Sequence, residues 1–276
     1  MGKIYEALER AKRSPKQDVP SPQRVVTPSL PKSTGGLVVL EEPGSPTAEC
    51  FRFLRSVLVR PMEGDPPRTI LVTSPLVGDG KTYVASNLSA AISQGLDEWV
   101  LLMDCDLRYP RLDRIFGLNS SHQGLSTYLT NDTPLDQLLK KTAVHKLTLL
   151  PGGNSTRQPT ELLTSEKMLR LIREVRDRYE DRFVVMDSTP LELAPETFVI
   201  ANEVDAVILV VRRGRTPRNA VRNAVNRIRR DKLLGVVFND YDKSSKVYRK
   251  YEYTRVFGEH EGEEQSTTGG GEKADQ

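Results

Sequence analysis

Residues 69–94, TILVTSPLVGDGKTYVASNLSAAISQ, run from a continuous apolar stretch through a glycine-flanked lysine into a helical pattern. A chain that leaves a buried strand, turns and at once enters a helix gathers backbone N–H groups at the positive helix terminus, and that arrangement holds phosphate. Gly78 and Gly80 allow a tight backbone approach, the Lys81 ammonium can reach the β- and γ-phosphates, and the Thr82 hydroxyl is a candidate Mg²⁺ ligand. Asp79 and Tyr83 belong to the same expected nucleotide-binding stretch. Aligned to G-x-x-x-x-G-K-[ST], the first glycine is replaced by Pro75, so the loop departs from the strict pattern.

The chain beyond this loop alternates in period. Short apolar runs at 69–73, 99–103, 147–150, 183–186, 206–211 and 234–238 read as buried strands, and helical stretches at 82–95, 161–179 and 217–230 supply the crossovers. This predicts an α/β fold over 47–240: a doubly wound, mostly parallel sheet flanked by helices in three layers, a P-loop architecture. Two further motifs fall at the ends of apolar runs. VLLMDCDLRYPRLDRIFGL sets Asp104 and Asp106 just past a strand on one face, because residues two apart share a side. FVVMDSTP delivers Asp187 in the same way, where a Walker B carboxylate would hold a magnesium water. Carboxylates beside a triphosphate suit Mg²⁺ binding and proton acceptance.

Composition bounds the remainder. A 276-residue chain with 37% hydrophobic residues can bury one α/β core, which predicts a single domain. No secretory leader opens it and no apolar run reaches membrane length, which predicts a cytosolic protein. Cys50 and Cys105 offer neither a disulfide framework nor a metal pair, and His122, His145 and His260 have no ligand spacing, so no metal other than Mg²⁺ is indicated. A net charge of +3 is small for this length and makes nucleic acid an unlikely partner. The run from Arg212 to Lys232 is nevertheless basic; a solvated helix face explains it, or Arg212, Arg213 and Arg215 meet ATP or an acidic lipid surface.

The flanks are of different character. Residues 1–13 carry Ile4, Ala7, Leu8 and Ala11 at helical spacing, and the proline- and serine-rich 14–46 reads as an extended linker. That helix frays or packs on its own domain, or it docks in a partner's groove. Residues 241–257 read as an exposed tail bearing tyrosines, and 258–276 as disordered.

Together the three nucleotide motifs resemble those of the bacterial tyrosine kinases, P-loop proteins related to the Min and Par ATPases. SPTAECFRFLRSVL is similar to that family's E-x-x-R-x-x-R helix, which implies ring-like self-association through Glu49, Arg52 and Arg55. LLMDCDLRYPRLDRIFGL resembles its additional Walker A′ motif, continuing through Arg108, and LLPGGNSTRQPTELLTS its segment before the Walker B helix. The opening MGKIYEALERA looks most like the exosortase-associated branch. Min and Par ATPases carry a second lysine five positions before the first; here that place is Leu76, which favours the kinase branch. The resemblance implies ATP and Mg²⁺ as cofactors, Asp104 as acceptor of a tyrosine proton, and a membrane adaptor for polysaccharide export as partner. It also implies Tyr241, Tyr248, Tyr251 and Tyr253 as phosphoacceptors. Asn239 either recognises adenine or forms a turn. Two rival readings are a partitioning-type ATPase switch that binds DNA or membrane, and a nucleotide-binding scaffold.

Overall fold

The computed structural model describes residues 36–118, 122–177 and 181–240. The helix expected over 1–13 and the tyrosines Tyr241, Tyr248, Tyr251 and Tyr253 lie outside the described residues. The strands are β1 (Thr69–Thr73), β2 (Trp99–Asp104), β3 (Lys140–Lys141), β4 (Leu147–Leu150), β5 (Arg182–Asp187), β6 (Ala206–Arg212) and β7 (Leu233–Asn239). They form one sheet in the order β3-β4-β2-β5-β1-β6-β7, parallel throughout except for the short β3.

The reason β1, β2, β5 and β6 read as unbroken apolar runs is that both faces of the sheet are covered. Ile70, Val72, Leu102, Val185 and Ile208 pack on one side against Leu88 and Ile92 of helix α2 (Lys81–Ser93), with α1 (Pro46–Val59) outside it. Leu71, Leu101, Met186 and Leu209 face the other way. There they meet Leu171 and Ile172 of α3 (Glu166–Asp177), Ile200 of α4 (Pro195–Glu203) and Ala224 of α5 (Arg218–Arg227). The edge strand β7 alternates between half-buried and exposed residues, as a strand with one face less covered does. The three-layer, doubly wound arrangement expected from the sequence is the one observed.

Several elements differ from the sequence reading. The helix expected over 161–179 is broken: a short helix, Pro159–Leu163, ends, and Ser165 starts a new one by accepting a hydrogen bond from the Met168 N–H at 3.3 Å. The linker expected over 14–46 stops short of that end, because Leu37 and Val39 are fully buried and Asn87 accepts the Val39 N–H at 3.2 Å. Helix α4 has no counterpart in the sequence reading, although Pro195 occupies its first turn as proline commonly does.

Candidate active site

A parallel sheet delivers all its carboxyl ends to one edge, and β5 sits between β1 and β2. Asp187 is therefore the register partner of both Val72 in β1 and Asp104 in β2, and the loop leaving β1 opens beside both carboxylates. In that loop Gly78 and Gly80 adopt φ of +85° and +99°, the left-handed region that glycine enters freely. The loop is fastened from the neighbouring strands. The Asp79 carboxylate accepts from the Leu76 N–H (3.0 Å) and the Thr216 hydroxyl (2.8 Å). The Asp79 carbonyl accepts from Asn239 Nδ2 (2.9 Å), and the Gly78 carbonyl from Arg212 Nη1 (3.2 Å).

These contacts refine several of the sequence expectations. The Asp79 side chain shapes the loop. Asn239 donates to the loop at the end of β7, and Arg212 reaches the same loop while also pairing with Asp240. Tyr83 turns toward α1, edge-on to Phe51 with ring centroids 5.8 Å apart, and burial raises its phenol above the usual range. Thr216 was not anticipated; it acts across 137 residues and leaves no local signature. A Cβ at Gly80 would come within 2.0 Å of Asn239 Nδ2. Gly80→Ala is therefore expected to destabilise the fold by about 1–3 kcal/mol and to lower nucleotide affinity, read by urea unfolding and calorimetric titration.

The charged groups lie where the loop meets the sheet. Lys81 Nζ is 3.2 Å from Asp106 Oδ2, both side chains being largely buried. Asp187 is buried and takes a hydrogen bond from Thr82. Burial pushes its carboxyl up to about 6 against the pull of the Lys81 ammonium. Asp104 is also buried and is pushed up to about 8, first by burial and then by the charge on Asp187. Its Oδ2 accepts from the N–H groups of Arg111 (2.9 Å) and Leu112 (3.1 Å), and its Oδ1 from that of Asp106 (3.2 Å), so the Walker A′ turn is built around it. Arg108 leaves that turn to pair with the fully buried Glu196 of α4 at 2.9 Å, where Thr160 also donates at 2.8 Å. Neither Glu196 nor Thr160 was singled out in the sequence, since each lies distant in the chain from the motif it supports.

Asp187 Oδ1 is buried and has no hydrogen-bond partner, although buried polar atoms are almost always paired. Among the described residues no group of three or more His, Cys, Asp or Glu is arranged to hold a metal ion. The orphaned Asp187 oxygen, with Thr82 and Asp106 beside it, fits Mg²⁺, which takes few protein ligands and completes its shell with phosphate oxygens and water. Glu49 and Arg52 of α1 pair with each other, and Arg55 lies 4.0 Å from Glu98, while Phe53 stands 72% exposed on the same helix.

No family model matches the chain. It is 29% identical to EpsB of Ralstonia nicotianae over 214 residues, 77% of this chain but 28% of that protein, so it spans little over a quarter of that relative's length. It is 27% identical to the tyrosine-protein kinase CpsD of Streptococcus agalactiae serotype III over 204 residues, covering 73% of this chain and 86% of CpsD. Among solved structures, the VpsO kinase domain superposes with a TM-score of 0.64 at 31% identity, covering 71% of this chain and 95% of that domain. The chain belongs to the bacterial tyrosine kinases. As in any parallel P-loop sheet, the bacterial tyrosine kinase fold of this chain sets its lysine and its carboxylates on one edge by topology. Among the described residues no helix is long and apolar enough to cross a membrane.

Proposed function

We propose that the chain is an ATP-dependent protein-tyrosine kinase that phosphorylates tyrosines of its own kind in trans and regulates exopolysaccharide or capsule export. The observation that carries this reading is the junction of Lys81, Asp106 and Asp187 around a buried carboxylate oxygen without a partner, at the mouth of a phosphate loop. Leu76, where partitioning ATPases carry their second lysine, favours the kinase over the switch.

Phosphoryl transfer needs alignment and charge neutralisation more than covalent help. Mg-ATP, when bound, supplies the electrophilic phosphoryl group and a leaving group whose charge the metal shares. Lys81 and the amides of 78–82 neutralise phosphate oxygens, while Thr82, Asp106 and Asp187 hold Mg²⁺ directly or through water. Asp104 accepts the tyrosine proton. With its carboxyl pushed up to about 8, Asp104 is largely neutral at pH 7 and only its ionised fraction accepts that proton; because an unperturbed tyrosine ionises near pH 10, the base assists during transfer. Asn239 contributes to the adenine side. Glu49, Arg52 and Arg55 serve self-association, which brings one chain's tail to another's site, and a membrane adaptor for polysaccharide export recruits the protein to the inner face of the membrane.

The test is to incubate the purified full chain with Mg-ATP, alone and with its adaptor's cytosolic segment, and to map phosphotyrosine by mass spectrometry. Phosphate is expected among Tyr241, Tyr248, Tyr251 and Tyr253, and a chain with all four changed to phenylalanine should lose at least nine-tenths of the label. Absence of phosphotyrosine under both conditions would remove the kinase reading in favour of the switch.

A further inference from the structure

Beyond Asp187 the chain continues as Ser188, Thr189, Pro190 and Leu191 along the end of β1. This segment is held unusually firmly. The Ser188 N–H and hydroxyl both donate to the Val72 carbonyl (3.3 and 3.1 Å), and the Leu191 N–H donates to the Ser74 carbonyl (2.9 Å), at the residue where the phosphate loop begins. The Thr189 carbonyl accepts from the hydroxyls of Thr73 at 3.1 Å and Thr197 at 3.0 Å, and is the longer alternative acceptor, at 3.3 Å, for the Ser188 hydroxyl.

Within this fixed segment the Thr189 hydroxyl has no partner, although the residue is only 4% exposed. A hydroxyl buried without a partner forfeits its hydration and gains nothing in return, so it is an unusual thing to hold rigidly. Ser188 turns its side chain to β1; in extended chain the residues on either side of it, Asp187 and Thr189, share the opposite side. The second unpartnered oxygen here is Asp187 Oδ1. A buried acceptor and a buried donor are thus left without partners two residues apart, on the segment that Leu191 ties to Ser74 at the start of the phosphate loop. The carboxylate matches a metal-bound water, and the hydroxyl, able to donate, matches an anionic phosphoryl oxygen.

We propose that the Thr189 hydroxyl donates a hydrogen bond to the terminal phosphoryl group of a bound nucleoside triphosphate, so that residue 189 lets the site distinguish triphosphate from diphosphate. The inference rests on the reading of this edge as a Mg-nucleotide site and adds to it a residue of the Asp187 motif to which the sequence reading gave no role. Thr189 is a binding and positioning residue; Asp187 and Lys81 retain their roles without it.

The experiment titrates wild type, Thr189→Val and Thr189→Ser with Mg-AMP-PNP and with Mg-ADP by calorimetry, and records the thermal midpoint of each protein without nucleotide. Valine keeps the shape and removes the hydroxyl. Thr189→Val is expected to bind Mg-AMP-PNP about tenfold more weakly and Mg-ADP within about twofold of wild type. Its midpoint without nucleotide should equal or exceed that of wild type, because an unmet polar group has been removed, and Thr189→Ser should recover most of the Mg-AMP-PNP affinity. Unchanged Mg-AMP-PNP affinity in Thr189→Val would overturn the proposal, as would equal losses for both nucleotides or a lowered midpoint that serine does not restore. If wild type binds neither nucleotide, the failure lies in the reading of the site itself.

Discussion

Replacing Lys81 with methionine should lower the rate of tyrosine phosphorylation by about three orders of magnitude, measured as label transferred from radioactive ATP per unit time. The size follows from preorganised electrostatics: removing one donor aimed at developing charge in a water-poor site costs roughly 10²–10³ in rate, and Lys81 has a second task. Its ammonium lies 3.2 Å from Asp106 and opposes the upward shift of Asp187. Without it, burial and like charge drive the Asp187 carboxyl further toward its neutral form, and a neutral carboxyl is a poor partner for Mg²⁺ or its water. The loss should therefore exceed that of a simple phosphate contact. Activity within tenfold of wild type would remove Lys81 from the assignment.

The second large effect is on stability in the absence of nucleotide and metal. The Asp104 carboxyl is pushed up to about 8 by burial and by Asp187, whereas in the unfolded chain it ionises near 3.9. Below about pH 4 both states hold the proton. As pH rises from 4 to 8 the unfolded chain releases it and the folded chain keeps it, so the stability contributed by the neutral carboxyl is progressively lost. Asp187, pushed up to about 6, acts in the same direction. Urea unfolding at a series of pH values should thus show wild type losing about 2–4 kcal/mol relative to Asp104→Asn between pH 5 and 8. A difference that stays flat over that interval would mean that Asp104 is ionised throughout.

The sequence made the central strands legible because β1, β2, β5 and β6 are covered on both faces and so appear as continuous apolar runs. The carboxylates were legible because they end such runs. The two-residue β3 carries no pattern of its own; it pairs Lys140 and Lys141 with Leu149 and Thr148. The break at 164–165 was hidden because Ser165 restarts the helix through a single cap inside a stretch whose helical pattern runs on. Leu37 and Val39 sit in a proline-rich context that resembles linker, yet they contribute apolar surface that Asn87 helps to pin. At the site, adjacency to the lysine indicated Asp79 and Tyr83 but not the direction of their side chains: one closes the loop on Thr216, the other packs on Phe51. Thr216 and Glu196 act through contacts remote in the chain, and periodicity carries no information about those. The four tail tyrosines lie outside the described residues.

The account depends on Lys81 and Asp187 serving one magnesium triphosphate, and a double-mutant cycle on Mg-AMP-PNP affinity measures this directly. Lys81→Met and Asp187→Asn should each weaken binding by at least tenfold, and the double variant should lose less than the product of the two, because each residue works through the same bound group. Losses that multiply to within about 0.5 kcal/mol, or a single variant that binds as wild type does, would place the two residues at separate tasks and contradict the account.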